Sequence, residues 1–520
     1  MITYHGLLAL ALIATPLWSH DQDPTSRPTS RPVNEAAPEV AQDPVPNRGP
    51  FDLELAKDQV DAAVSAAEIA AHIQYLSSDE LEGRFTGSAG GKLAADYLAA
   101  TLAKLEAQGL QPAGDNGTYL QDIKLSNLDF SAMPALMADM GSGFQAQVYG
   151  VGFELVAGLA GQAELEVIKV TDLEDARLGN PSSGMALFLD LSTRERRDLF
   201  EQRGATWQAS WGAILIEGVK RDGREVSNPA RIRGVAAYLD EVALPVTFKV
   251  RGALRAALEE GSVKRITIDV RGSQAKAYNV VAKLPATAAA AAGGPEGPPS
   301  PRAMGAIVLS AHYDHLRPKA RKDGDAEDVD LIYNGADDDA SGVAAVLEIV
   351  EAAAFEEHRD RDIVVLLATG EEIGLVGTAF YLDHPVVPLD KTLCNLNFEM
   401  IGRPDDAGGG FGKLWLTGYD YTSIGPAFSE KGIAVVRDPH PEMNYYQRSD
   451  NYAFVQKGIV GQSFSSYNGH KDYHHVSDEV DTINFWHMEA AVADCAKAVI
   501  MALDFGFDVN WAEGYKLPRR

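Results

Sequence analysis

Hydrophobic positions along this chain follow different periods in different regions, and those periods predict its layers. From Tyr278 onward the short apolar runs NVVAKL, AIVLSA and DIVVLLA alternate with helical segments, one of which starts at Ser341. That order predicts an α/β domain with a mixed, largely parallel sheet flanked by helices. The run from Ile363 to Ala368 is apolar at every position, as a central strand covered on both faces should be. Between about 130 and 275 the pattern changes. The runs LEVIKV, MALFLDL, GAILIEG, LPVTFKV and RITIDV are separated by Gly, Asp and Ser turns and predict a β-rich insert. Upstream, residues 51–125 read as helical and then looped. The segment GGKLAADYLAATLAKL places Leu93, Tyr97, Leu98, Thr101, Leu102 and Leu105 on one core-facing helical stripe. The low-complexity stretch PATAAAAAGGPEGPPSPRAMG, between the first two strands of the α/β region, reads as a long flexible hairpin loop.

The N-terminal stretch LLALALIATPLW has the length of a signal-peptide core and is too short to span a bilayer. The Pro-, Ser- and acid-rich segment that follows it reads as a disordered tether. The expected organisation is a signal peptide over 1–18 and a linker over 19–50. A discontinuous catalytic domain follows over 51–130 and 276–515, with the insert at 131–275. The protein is expected to be secreted or periplasmic, with no membrane span once the signal is removed. Across 520 residues, 46 Lys and Arg face 74 Asp and Glu, a formal charge of −28. Such a surface repels nucleic acid and anionic membrane and favours cations. Cys394 and Cys495 sit in apolar contexts and read as buried thiols rather than a disulfide framework. The acidic run KDGDAEDVD fits no calcium loop and reads as a solvated face.

One feature of the charge pattern asks for chemistry. The most hydrophobic strand ends on two adjacent carboxylates, Glu371 and Glu372. Capping of the next helix accounts for such a pair taken alone. Other strand ends, however, carry ligand-type residues too. SAHYDH offers His312 and Asp314, GADDDASG offers Asp337, Asp338 and Asp339, NFEMIG offers Glu399, and YHHVSD offers His474 and His475. Functional side chains gather where the strands of such sheets end. Two imidazoles and three carboxylates match the donor set of a two-metal hydrolytic centre, whose ions lie roughly 3.5–4 Å apart. Adjacent glutamates can then divide the work, one binding metal and the other acting as base.

The ordered set SAHYDH, GADDDASG, GEEIGLVG, NFEMIG, RSDNYAF and YHHVSD, over about 310–480, resembles the zinc aminopeptidases of metallopeptidase family twenty-eight. These include bacterial leucyl aminopeptidase and yeast aminopeptidase Y. The segment YLSSDELEGRFTGSAGGKLAADYLA resembles the N-terminal part of that family, and the insert more loosely resembles a protease-associated domain. The resemblance implies a di-zinc exopeptidase that acts on peptide or protein N-termini. It places His312 and Glu399 on one zinc, Glu372 and His474 on the other, and Asp338 between them. Glu371 becomes the general base that activates the attacking water, and Asp314 orients His312 from behind. Either Tyr446 or Tyr473 would stabilise the oxyanion. Glu399 stands where many members have Asp, and Asn451 and Val476 stand where His and Pro are common. Two other readings stay open. One is a carboxypeptidase of the glutamate-releasing type, for which Arg448 is the motif-adjacent cation. The other is a non-catalytic binding protein of transferrin-receptor type. The insert is expected to restrict substrate or to contact another protein.

Overall fold

The structure, a computed structural model, describes residues 63–158, 161–217, 237–238, 245–287, 305–322, 324–504 and 506–516. The expected signal peptide and linker lie outside these residues, as does most of the low-complexity connection. The main sheet is built from β1 (Leu120–Phe130), β2 (Gly272–Leu284), β3 (Ala306–His312), β4 (Ile363–Ala368), β5 (Thr392–Phe398), β6 (Leu414–Leu416), β7 (Val435–Arg437) and β8 (Val460–Ser465). Their spatial order is β7-β6-β8-β5-β3-β4-β2-β1. Strands β4, β3, β5 and β8 run parallel at the centre, and β1 and β2 are antiparallel additions at one side.

The uninterrupted apolar run of β4 follows from this position. Ile363, Val365 and Leu367 pack on one face with Ile307 and Leu309, beneath the helices Gly342–Ala354 and Phe485–Ala502. Val364 and Leu366 pack on the other face with Tyr381 and Phe454, which come from the helices Val376–Asp383 and Asn451–Gln456. Each buried Val, Leu or Ile contributes about 1.5–3 kcal/mol relative to exposure, so the doubly covered strand anchors the layer.

Two expectations are corrected. The low-complexity connection does not close a hairpin, because β4 lies between β2 and β3, antiparallel to the first and parallel to the second. The connection is long enough to pass a third strand, and burial of the most apolar run decides which strand sits in the middle. The helix Ala89–Ala103 buries Leu98 and Leu102 as expected, with Leu105 just past its end, but the stripe is shifted at its start. Gly91, Ala94, Ala95, Leu98 and Leu102 face the core, whereas Leu93 is 41% exposed. A Cβ at Gly90 would lie 1.8 Å from the Leu81 carbonyl oxygen, so small residues set how closely this helix docks.

A second sheet occupies residues 135–270, with its own apolar clusters. The five runs read as β-like fall in the strands Gly161–Val170, Met185–Leu189, Ala213–Glu217, Val246–Val250 and Arg265–Val270. The sheet also carries the helix Thr193–Ala209. It starts at a capping box, in which the Ser192 hydroxyl accepts from Glu195 N and the Ser192 amide donates to the Glu195 carboxylate. Cys394 and Cys495 are free and buried. Among the described residues no helix is long and apolar enough to cross a membrane.

Candidate metal centre

The carboxyl ends of the parallel strands converge on one group of side chains. Strand β3 ends on His312, whose Nε2 lies 3.3 Å from Asp338 Oδ1 and 3.4 Å from Glu399 Oε1. Glu399 directly follows β5, and its other oxygen accepts from the Ser449 hydroxyl at 2.5 Å. Beyond β4 the chain turns at Gly370 and presents Glu372. Its Oε1 lies 3.2 Å from His474 Nε2 and 2.8 Å from His315 Nδ1. His474 Nε2 is also 3.2 Å from Asp338 Oδ2. The two oxygens of Asp338 therefore face two separate donor groups.

The neighbours of Asp338 are turned to other tasks. Asp337 accepts from Gly402 N at 2.7 Å and lies 2.9 Å from His470 Nε2. Asp339 accepts from Met400 N at 2.9 Å and Gly342 N at 3.1 Å, closing the start of the helix Gly342–Ala354. Asp478, the last residue of YHHVSD, accepts from the Asp337 and Asp338 amides and from Arg403. It fixes the turn that presents Asp338.

The His312 ring is oriented by the backbone more than by a carboxylate. Nδ1 lies 3.0 Å from the Asp314 carbonyl oxygen and 3.8 Å from Asp314 Oδ1. The Asp314 carboxylate instead accepts from the Glu371 amide at 3.1 Å and the Thr86 hydroxyl at 2.8 Å. It thereby holds the start of the Glu-Glu turn. Arg84 is fully buried and donates to the carbonyl oxygens of Leu76, Tyr313, Asn334 and Gly335. This one side chain ties the loop after β3 to the loop carrying Asp338.

The electrostatics separate the two glutamates. Burial and the charge of Asp338 push the Glu372 carboxyl upward, but the contacts from His315 and His474 prevail and hold it down to about 2. Burial, with the charges of Glu399 and Glu372 adding to it against the pull of His312, holds the Glu371 carboxyl well above the usual range. Of the two tyrosines, Tyr473 stacks on His474 with ring centroids 3.9 Å apart. Burial and the nearby carboxylates of Asp338, Glu372 and Glu371 keep its phenol protonated. Tyr446 packs instead against Tyr421 and Tyr452. His475 turns toward Ser477. Asn451 joins Ser463 of β8 to the Tyr446 carbonyl.

A metal suits this constellation. Asp338 Oδ2, Glu372 Oε1 and both ring nitrogens of His315 are buried without a hydrogen bond. Each such orphan costs about 1–3 kcal/mol unless another group satisfies it. His312, Asp338 and Glu399, and separately His315, Asp338 and Glu372, bring their donor atoms within 4.8 Å of one another. Imidazole and carboxylate donors fit zinc. Sequence reasoning missed His315, Arg84, Ser449 and Asp478. The spacing H-x-x-H at the end of a buried strand signals the first, and the motifs RSDNYAF and YHHVSD already contain the last two.

Residues 295–500 match the sequence profile of Peptidase family M28. Over that stretch the chain is similar to the M28 peptidases. A vacuolar membrane protease of Candida dubliniensis is 24% identical over 212 residues, 38% of this chain and 20% of that protein. The "probable leucine aminopeptidase 2" of Aspergillus oryzae is 32% identical over 139 residues, 24% of this chain and 26% of that protein. The chain thus spans a fifth to about a quarter of the length of these relatives. Among solved structures, an aminopeptidase from Aneurinibacillus sp. strain AM-1 is 18% identical with a TM-score of 0.45, covering 88% of this chain and 98% of that one. BSAP, a zinc aminopeptidase from Bacillus subtilis, is 16% identical with a TM-score of 0.44 over the same shares. The M28 match covers the donors from His312 to His474. Arg84 and Thr86, which brace them, lie upstream of it.

Proposed function

We propose that this protein is an exported di-zinc exopeptidase that removes residues from the N-termini of peptides. The observation that carries the reading is Asp338, whose two oxygens face one donor group each inside the stretch that matches the M28 profile. His312 and Glu399 would hold one ion, Glu372 and His474 the other, and Asp338 would be shared. When bound, the ions would polarise the scissile carbonyl and acidify a water. Glu371 is the base of the reaction: its carboxylate takes the proton from that water and returns it to the leaving amine. Tyr473, kept protonated, donates a hydrogen bond to the developing oxyanion. The formal charge of −28 favours a substrate with a free ammonium group over one with a free carboxylate, and so an N-terminal over a C-terminal residue.

Assays on three substrates test this: an amide with a free α-amine, its N-acetylated counterpart, and an N-acyl dipeptide with a free carboxylate. Turnover of the first alone, abolished by chelation and restored by zinc, is the expected result. Turnover of the third alone would transfer the assignment to a carboxypeptidase. That second reading is favoured by Arg448, a cation next to the Ser449 that holds Glu399; it lies over the Tyr445 ring, 5.3 Å from its centroid. Zinc-free protein with no hydrolysis would leave a binding protein.

A further inference from the structure

His315 stands three residues beyond His312 and is not needed by the five-ligand scheme, yet it is built into the centre. The residue is 0% exposed, and neither ring nitrogen makes a hydrogen bond. Its ring lies against Gly335. A Cβ at that position would come within 2.6 Å of His315 Cδ2, so the absence of a side chain there leaves room for the imidazole. Tyr333 closes edge-on at 6.5 Å between ring centroids. An imidazole packed only as filler would neither aim Nδ1 at a buried carboxylate nor leave Nε2 without a partner, at a desolvation cost.

The direction of the ring is what gives it a role. Nδ1 lies 2.8 Å from Glu372 Oε1 and 3.8 Å from Asp338 Oδ2. Those two oxygens are each 3.2 Å from His474 Nε2. Four donors in a tetrahedron around zinc, at bonds of about 2.0–2.1 Å, sit roughly 3.3 Å from one another. Four of the contacts among His315 Nδ1, His474 Nε2, Glu372 Oε1 and Asp338 Oδ2 run from 2.8 to 3.8 Å, around that spacing. On the other side the corresponding set is His312 Nε2, Asp338 Oδ1 and Glu399 Oε1, separated from His312 by 3.3 and 3.4 Å. The free oxygen of Glu399 there is taken by Ser449. Among the described residues that set is a cluster of three, whereas His315, Asp338 and Glu372 gain His474 through its contacts of 3.2 Å to Asp338 and Glu372.

We propose that His315 is a fourth protein ligand at the metal position formed by Glu372, His474 and Asp338, so that the two positions are unequal. The inference rests on the two-zinc reading given above. With His315 the first position is closed by protein, as structural zinc sites are, while the His312 position has three protein donors and room for water and substrate, as catalytic sites do. The closed position fills first and gives up its ion last. The His312 position exchanges.

The test is zinc-edge X-ray absorption on wild-type protein loaded with one equivalent of zinc, together with zinc titration of wild type and His315→Phe. The expected result is two imidazoles around the first zinc, and two zincs at saturation. In His315→Phe the tighter of the two affinities should fall by more than the roughly 10–100-fold that loss of an outer partner costs. A single imidazole around the first zinc, in wild type that goes on to bind two, overturns the role of His315 alone. So does His315→Phe with affinities unchanged or reduced only within that range. Wild type that never takes up a second zinc overturns the two-metal reading and the inequality with it. The wild-type spectrum decides the matter even if His315→Phe fails to fold.

Discussion

Glu372 directs Oε1 at His315 and His474, whereas the backbone of Glu371 is pinned by Asp314, so substitutions at these two neighbours should read out differently. Glu371→Gln keeps the size of the side chain and removes its capacity to take a proton. Zinc content should stay at the wild-type level while turnover falls by roughly 10²–10⁴-fold, the usual worth of a positioned base. Glu372→Gln exchanges a charged donor for a neutral one. Its zinc content should drop, and part of its activity should return on adding zinc, because metal affinity follows the charge of the ligand. If both residues merely capped a helix, both variants would retain zinc and turnover with small changes in stability. Metal analysis and turnover on the two proteins separate these outcomes. Near-normal turnover in Glu371→Gln would end the proposal for that residue.

At the scale of elements, the helix Phe485–Ala502 carries a buried histidine that should govern stability in acid. The Gly412 amide donates to His487 Nδ1 at 2.8 Å, so Nε2 bears the proton and faces the Ser466 hydroxyl at 3.2 Å. Protonating Nδ1 would set two donors head to head. Burial accordingly holds this imidazole down to about 4, against a weaker upward pull from Asp337. An unfolded histidine titrates near 6.5, so between about 6.5 and 4 the unfolded chain binds a proton that the folded one refuses. Stability supplied by the neutral ring is complete above pH 6.5 and is lost as pH falls toward 4, by on the order of 3 kcal/mol. Denaturant unfolding across pH 7 to 4 should show this slope, and His487→Gln, which can still accept from Gly412, should flatten it. Equal slopes would refute the assignment. The elements themselves were legible to different degrees. The parallel strands and the residues at their ends could be read because a doubly covered strand must be apolar throughout and because ligand-type side chains then stand out. On Ala89–Ala103 the stripe holds at Leu98 and Leu102 and fails at Leu93, because periodicity weights Leu93 above Gly91 and Ala95, while the close docking at Gly90 rewards small residues. The helix Thr193–Ala209 was missed because its arginines and glutamates mask the apolar face, although Ser192 and Glu195 form a recognisable start signal. His315 was missed because the five-ligand scheme has no place for it.

The described residues form two sheets with separate apolar cores, and every donor of the candidate metal centre comes from the segments that build the main one. The passage between them is narrow at one point: Phe130 at the end of β1 pairs directly with Gly272 at the start of β2. Residues 131–271 therefore leave and re-enter across a single rung of the main sheet, where a two-residue turn can close an antiparallel pair. Replacing 131–271 by Asn-Gly should yield a folded catalytic unit that binds as much zinc as the full chain. One loss is built in. Ala237–Tyr238 returns from this segment to pair with β1, and Tyr238 packs on Phe380 and donates to Asp383. Its removal uncovers an edge of the sheet beside the helix Val376–Asp383, so the shortened protein should unfold at a lower temperature while its metal content is unchanged. If the segment restricts access to the centre, turnover of long peptides should rise relative to dipeptide-sized amides, since only the longer chains extend beyond the ligand loops. A folded deletion variant that binds less zinc would show that the segment supports the centre itself and would overturn its treatment as a separate module.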